Sequence, residues 1–200
     1  MDQVDTRGKI VAAASYLFQT KGYAGTGLNE ILRESGAPKG SLYYYFPGGK
    51  EALALAAIEQ ASHTMQAKVR QNLALAAEPV AAIRQVLADM IQALQNDGQL
   101  LTLSLSMLAL ETCHSSEPLR QACARSFREM AAIYTAKLAA GGYPPARAAE
   151  GGQLLQATIE GAIILSLTQK DTAPLQLLQS QLPDLLKPRN WQADSASGPD

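Results

Sequence analysis

Apolar positions return every third or fourth residue through most of the chain, the period of an α-helix with one buried stripe. Ile10, Ala14, Leu17 and Phe18 define the first stripe. Asp5 or Thr6 is placed to cap that helix, which reaches about Lys21, and Gly22 supplies a stop where the backbone turns left-handed. Thr26 stands where a second helix begins, its hydroxyl positioned to cap the free amides, and Leu28, Ile31 and Leu32 form the inward face. Gly36 ends it, Pro38 suits the first turn of a third helix, and Leu42 points back into the same core. Phe46 closes the unit and Pro47-Gly48-Gly49 breaks it.

The pattern beyond is longer and more apolar. A helix is predicted from Lys50 to about Ala76, ended by Glu78-Pro79, and another from Val80 to Gln95. After the turn at Asn96-Asp97-Gly98 comes the apolar run Leu100 to about Glu111, read as a buried helix despite partial alternation. Ser115-Ser116-Glu117-Pro118 starts a helix to about Ala140, with Leu119, Phe127, Met130 and Tyr134 on one stripe. A Gly-Gly and Pro-Pro break precedes a helix from Arg147 to about Gln169, and Asp171-Thr172 caps a last one through Leu186. These elements give an all-α fold: a three-helix domain over residues 1–50, a helical body over 51–188 and a loose tail over 189–200. The boundary falls near Lys50, inside a helix that both parts share.

Composition changes this picture little. The apolar share of 47% supports a packed core rather than disorder. Residues 1–50 carry six Lys/Arg against four Asp/Glu, a slight local bias toward polyanions in a chain of net charge −1. Cys113 and Cys123 form no CxxC or CxxH pair, so neither a zinc site nor a disulfide scaffold is expected, and no metal or cofactor is assigned. The polar start MDQVDTRGK is not a signal peptide, and no run of about eighteen apolar residues suggests a membrane span. A cytoplasmic protein is expected.

The chemistry concentrates between Thr26 and Lys50. Two short helices with a tight turn at Gly36 have helix-turn-helix spacing over about 27–46, and the second helix of that motif lies in a DNA major groove. Tyr43, Tyr44, Tyr45 and Phe46 are consecutive. Successive helical residues point about 100° apart, so at least two of these rings look outward. Lys39 opens the helix where side chains reach base edges, and lysine to guanine is a common pairing. Gly40 allows close approach to DNA, while Ser41 and Thr26 can donate hydroxyls or amides to phosphate.

The stretch GYAGTGLNEILRESGAPKGSLYYYFPGGKEAL resembles the DNA-binding region of TetR-type transcriptional regulators. The matching features are Gly22-Tyr23, Thr26, Ile31, Gly36, Gly40-Ser41-Leu42-Tyr43, Phe46 and Lys50. Three residues separate Phe46 from Lys50, where most members carry two; this form resembles the branch containing repressors of drug-efflux and flavonoid-responsive genes. The resemblance implies a homodimer with two recognition helices on a palindromic double-stranded operator, and repression relieved by a small molecule bound in the larger domain. It implies phosphate contacts by Tyr43 and Lys50. Tyr44 is then the candidate for a base or thymine-methyl contact, and Tyr45 for the backbone.

Signals in the body are softer. Met65, Met90, Met107, Phe127, Met130 and Tyr134 could line an adaptable apolar cavity, though ordinary core is the plainer reading of each. Gln156 and Glu160 lie on the very apolar helix 147–169 and either orient a ligand or bond across a dimer seam. Residues 154–167 and 175–186 are too apolar for a monomer surface, so helices 147–169 and 172–186 are expected to pair with their two-fold mates. The alternatives are a helical interaction scaffold without DNA and a helical enzyme. No GxSxG, HExxH, Walker loop or paired-carboxylate arrangement supports the enzyme.

Overall fold

The computed structural model describes residues 5–97 and 105–187. Among them it contains helices and no strand: α1 (Thr6–Gly25), α2 (Leu28–Ser35), α3 (Lys39–Tyr45), α4 (Gly49–Leu73), α5 (Pro79–Asp97), α6 (Leu105–Thr112), α7 (Glu117–Ala140), α8 (Pro145–Gln169) and α9 (Ala173–Leu185). The all-α expectation holds. Residues 100–104 of the run expected to be a buried helix lie outside the described residues, as does the expected tail.

Two compact units divide the chain. The first comprises residues up to Gln71 and Asn96–Met130, the second Asn72–Gln95 and the chain from Ala131 on. One continuous core runs through the first unit, from Ile10, Ala14, Leu17 and Phe18 of α1, through Ile31, Leu42 and Phe46, to Leu53 and Ile58 of α4, Leu108 of α6 and Leu119 and Cys123 of α7. Ile31 and Leu42 are each the one fully buried residue of a short helix. Emptying either site would cost about 2–5 kcal/mol.

The second unit packs the latter part of α7 with α5, α8 and α9. Ile83 and Leu87, Tyr134 and Leu138, Leu155 and Ile159, and Leu175 and Leu182 are all buried. Glycine sets the α7–α8 spacing: a Cβ at Gly152 would lie 2.1 Å from Thr135 Oγ1 and 2.6 Å from the Ala131 carbonyl oxygen.

Local sequence explains the helix ends. Asp5 caps α1, accepting from the Gly8 amide at 2.8 Å. Glu78 accepts from the Val80 and Ala81 amides at 2.8 and 2.6 Å at the head of α5, and Ser116 Oγ accepts from Leu119 at 3.3 Å at the head of α7. Pro38 is the N-cap of α3 rather than part of its first turn.

Candidate nucleic-acid interface

α2 ends at Gly36, which adopts φ 63°, ψ 14°, the left-handed conformation that reverses the chain at little cost only for glycine. Pro38 then opens α3, a two-turn helix pinned by Leu42 and closed by the buried Phe46. Pinning so short a helix on one residue leaves its other faces outward. Tyr43, Tyr44 and Tyr45 are 50%, 79% and 40% exposed. Tyr44 and Tyr45 meet edge to face with ring centroids 5.0 Å apart, and Tyr45 leans toward Phe46 at 6.5 Å. The Arg7 guanidinium lies 5.5 Å from the Phe46 ring centre, tying the start of α1 to the end of α3. Lys39 and Gly40 are exposed, and a Cβ at Gly40 would meet nothing within 4 Å. No contact among the described residues therefore requires glycine there. Ser41 is half-buried, and its amide donates to the Pro38 carbonyl at 2.9 Å.

Thr26 departs from its expected place. It is buried, and its hydroxyl donates to the carbonyls of Gly22 at 2.8 Å and Leu17 at 3.2 Å. The N-cap of α2 is Gly27, and no side chain caps that end. Thr26 thus neither caps α2 nor offers its hydroxyl to phosphate. The cause is the kink at Gly22 (φ 76°, ψ 166°), which turns α1 carbonyls toward the threonine.

Lys50 is half-buried and already engaged. Its Nζ donates to the Ala24 carbonyl at 3.4 Å and stands 4.5 Å from the centre of the Tyr23 ring. Burial lowers its pKa, opposed by the nearby Glu111 carboxylate. Burial and the charge of Glu51 push the Tyr23 phenol up. The Glu30 carboxylate is held below the usual range, chiefly by its hydrogen bond with Lys21, and Arg33 stands 3.6 Å away.

The side chains expected to line a ligand cavity divide between the units. Met65, Phe127 and Met130 are half-buried in the first unit. Met107, also there, is 46% exposed, since α6 turns Leu108 and Thr112 inward instead. In the second unit Met90 and Glu160 are half-buried and Tyr134 and Gln156 buried. Gln156 Nε2 donates to Glu160 Oε1 at 2.9 Å along α8, and burial, then the charge of Glu160, raises the Tyr134 pKa. A surface groove of about 390 Å³ in this unit is lined by other residues, among them Tyr143, Arg147, Leu154, Asp184 and Lys187.

One polar chain went unread in the sequence. Gln66 Nε2 donates to Ser62 Oγ at 3.0 Å and Glu129 Oε2 at 2.9 Å, and Arg70 donates to Gln66 Oε1 at 3.3 Å. The four-residue spacing of Ser62, Gln66 and Arg70 was the available signal. Among the described residues no group of three His, Cys, Asp or Glu side chains could hold a metal.

Residues 10–57 match the family described as "Bacterial regulatory proteins, tetR family", and residues 79–181 match "Transcriptional regulator LmrA/YxaF-like, C-terminal domain". The chain belongs to the TetR family of transcriptional regulators. It is 43% identical to the HTH-type transcriptional regulator LmrA of Bacillus subtilis, over 94% of this chain and 100% of that one. It is 40% identical to YxaF of the same organism, an uncharacterised HTH-type regulator, over 92% and 96%. Reduced Escherichia coli NemR shares the fold with a TM-score of 0.80 at 24% identity, covering 90% of this chain and 96% of that chain. A TetR-type regulator from Chloroflexus aurantiacus gives 0.77 at 26% identity, covering 90% and 93%. This is therefore a DNA-binding transcriptional regulator, and its relatives are transcriptional regulators. No helix among the described residues is long and apolar enough to cross a membrane.

Proposed function

We propose that this regulator is a repressor that places α3 in the major groove of a palindromic operator as a homodimer and is released by a small apolar or aromatic effector. The observation that carries the reading is the division of α3, with Leu42 buried beneath and Lys39, Tyr43, Tyr44 and Tyr45 exposed. Lys39 and Tyr44, the first residue and the most exposed ring, are the base readers, the lysine toward guanine and the ring toward thymine methyl. Tyr43, Tyr45 and Ser41 contact phosphate, and bare Gly40 lets a strand approach the helix. Thr26 contributes no hydroxyl. The amino end of α2, which no side chain caps, offers its amides to phosphate instead. Lys50 reaches phosphate only by leaving the Ala24 carbonyl.

A second copy would cover an apolar face of α8. Leu154, Ala157, Gly161, Ile164 and Leu165 are all exposed there, and a Cβ at Gly161 would meet nothing within 4 Å, so a partner helix could pack close. Leu177 extends this apolar surface onto α9. The effector reading leans on apolar side chains within each unit taken by itself: half-buried Met65, Phe127 and Met130 in the first, and half-buried Met90 with the polar groups of Tyr134, Gln156 and Glu160 in the second.

The test is selection of a binding duplex from a randomised DNA pool. A palindromic site with half-site centres about one helical turn apart, or a multiple of that, is expected. Affinity should fall steeply with salt as phosphate contacts release counterions. Failure to enrich any sequence would overturn the reading.

A further inference from the structure

The kink at Gly22 interrupts the backbone ladder of α1, so the polar groups beyond it need other partners. They find them on three elements. Thr26 donates to the Gly22 and Leu17 carbonyls. Lys50, at the head of α4, donates to the Ala24 carbonyl. The Ala24 amide donates at 3.0 Å to Glu111 Oε2, from α6, eighty-seven residues along the chain. Gly22 makes room for that carboxylate: a Cβ there would lie 2.4 Å from Glu111 Oε1. The φ, ψ pair of 76° and 166° belongs to a region almost closed to other residues, so both the conformation and the close approach call for glycine. A second tie lies alongside, where Ser116 Oγ donates to Glu51 Oε2 at 2.6 Å, binding the α6–α7 connection to the first turn of α4.

We infer that Glu111 is a positioning residue for operator binding, the contact through which α6 fixes the end of α1. The inference rests on the DNA-binding reading above and adds to it. α1 carries Leu17 and Phe18 under the helix-turn-helix, so its pose sets the angle at which α3 is offered. A carboxylate that accepts from a main-chain amide holds backbone rather than a side-chain tip, which makes the link stiff. Glu111 touches no DNA-facing group of α3 and acts only through the end of α1.

The experiment measures binding of full-length wild type, Glu111→Ala and Glu111→Gln to a duplex selected by the wild type from a randomised pool, over a salt series. Glutamine keeps an acceptor for the Ala24 amide and alanine does not. Glu111→Ala should bind roughly tenfold more weakly, the size expected when one charge-assisted hydrogen bond is lost from the binding-competent pose. Glu111→Gln should recover most of that loss. The slope of log affinity against log salt should stay unchanged in both, because no phosphate contact is removed. Thermal midpoints are measured alongside. Wild-type affinity in Glu111→Ala overturns the inference. So does a weakening that glutamine does not rescue, a change of salt slope, or a loss of affinity matched by a collapse of the midpoint. If the wild type itself selects no duplex, the DNA-binding reading has failed instead.

Discussion

Replacing Gly36 by alanine isolates the cost of backbone handedness at the turn between α2 and α3. The residue sits at φ 63°, ψ 14°, and a Cβ built there meets nothing within 4 Å. The substitution adds no clash, so its cost is that of a left-handed L-residue, about 1–2 kcal/mol. In a chain of this length each kcal/mol shifts the thermal midpoint by about 2–4 °C. Gly36→Ala should therefore lower it by about 2–8 °C, and Gly36→Asn by less, because asparagine tolerates this conformation. Gly22→Ala supplies the contrast. Its φ, ψ of 76° and 166° cost about 1–3 kcal/mol for a non-glycine residue. Its Cβ would also lie 2.4 Å from Glu111 Oε1, so the carboxylate must withdraw from the Ala24 amide at a further cost of about 1 kcal/mol. Far-UV circular dichroism melts at one fixed protein concentration, paired with urea titrations, would rank the three variants. A Gly36→Ala protein that melts with the wild type, or a Gly22→Ala protein milder than Gly36→Ala, would refute the reasoning.

Other expectations follow from the same structure. Lys39→Ala should change the ranking of operator variants, whereas Tyr43→Phe should weaken all of them alike; parallel selection with each variant separates the two. Leu165→Glu should shift the chain toward monomer in light scattering, because it puts a charge on the exposed face of α8, and an unchanged mass would count against that face as the seam. Burial pushes the Cys123 thiol up to about 11 from its ordinary 9.0. A folded-state pKa raised in this way favours the fold below pH 9 and withdraws that support as pH climbs toward about 11. Wild-type stability should therefore fall across that window more steeply than that of Cys123→Ala, as read from urea midpoints at a series of pH values; equal slopes would refute it.

How much of this was legible in the sequence depended on whether the physics was local. Gly36, Leu42 and Phe46 declare a turn and a short buried anchor by residue type and spacing alone, and the structure places them as expected. Thr26 read as a helix cap because threonine before an apolar stripe usually is one. Its inward orientation comes from carbonyls that the Gly22 kink presents, a tertiary fact. Met107 looked like cavity lining by residue type, but the rotation of α6 turns it outward. Glu111 carried no signal at all, since its partner is a main-chain amide far away in sequence. The comparison with relatives settled the family, which spacing could only suggest.

The unbroken core from Ile10 to Cys123 has a practical consequence for anyone building hybrid regulators. A chimera spliced at Lys50 would graft a foreign reading head onto Leu53, Ile58, Leu108 and Leu119, side chains shaped to the contours of this one. Transplanting the specificity of this protein would mean moving α6 and the first half of α7 along with its first fifty residues, or redesigning both faces of that junction together.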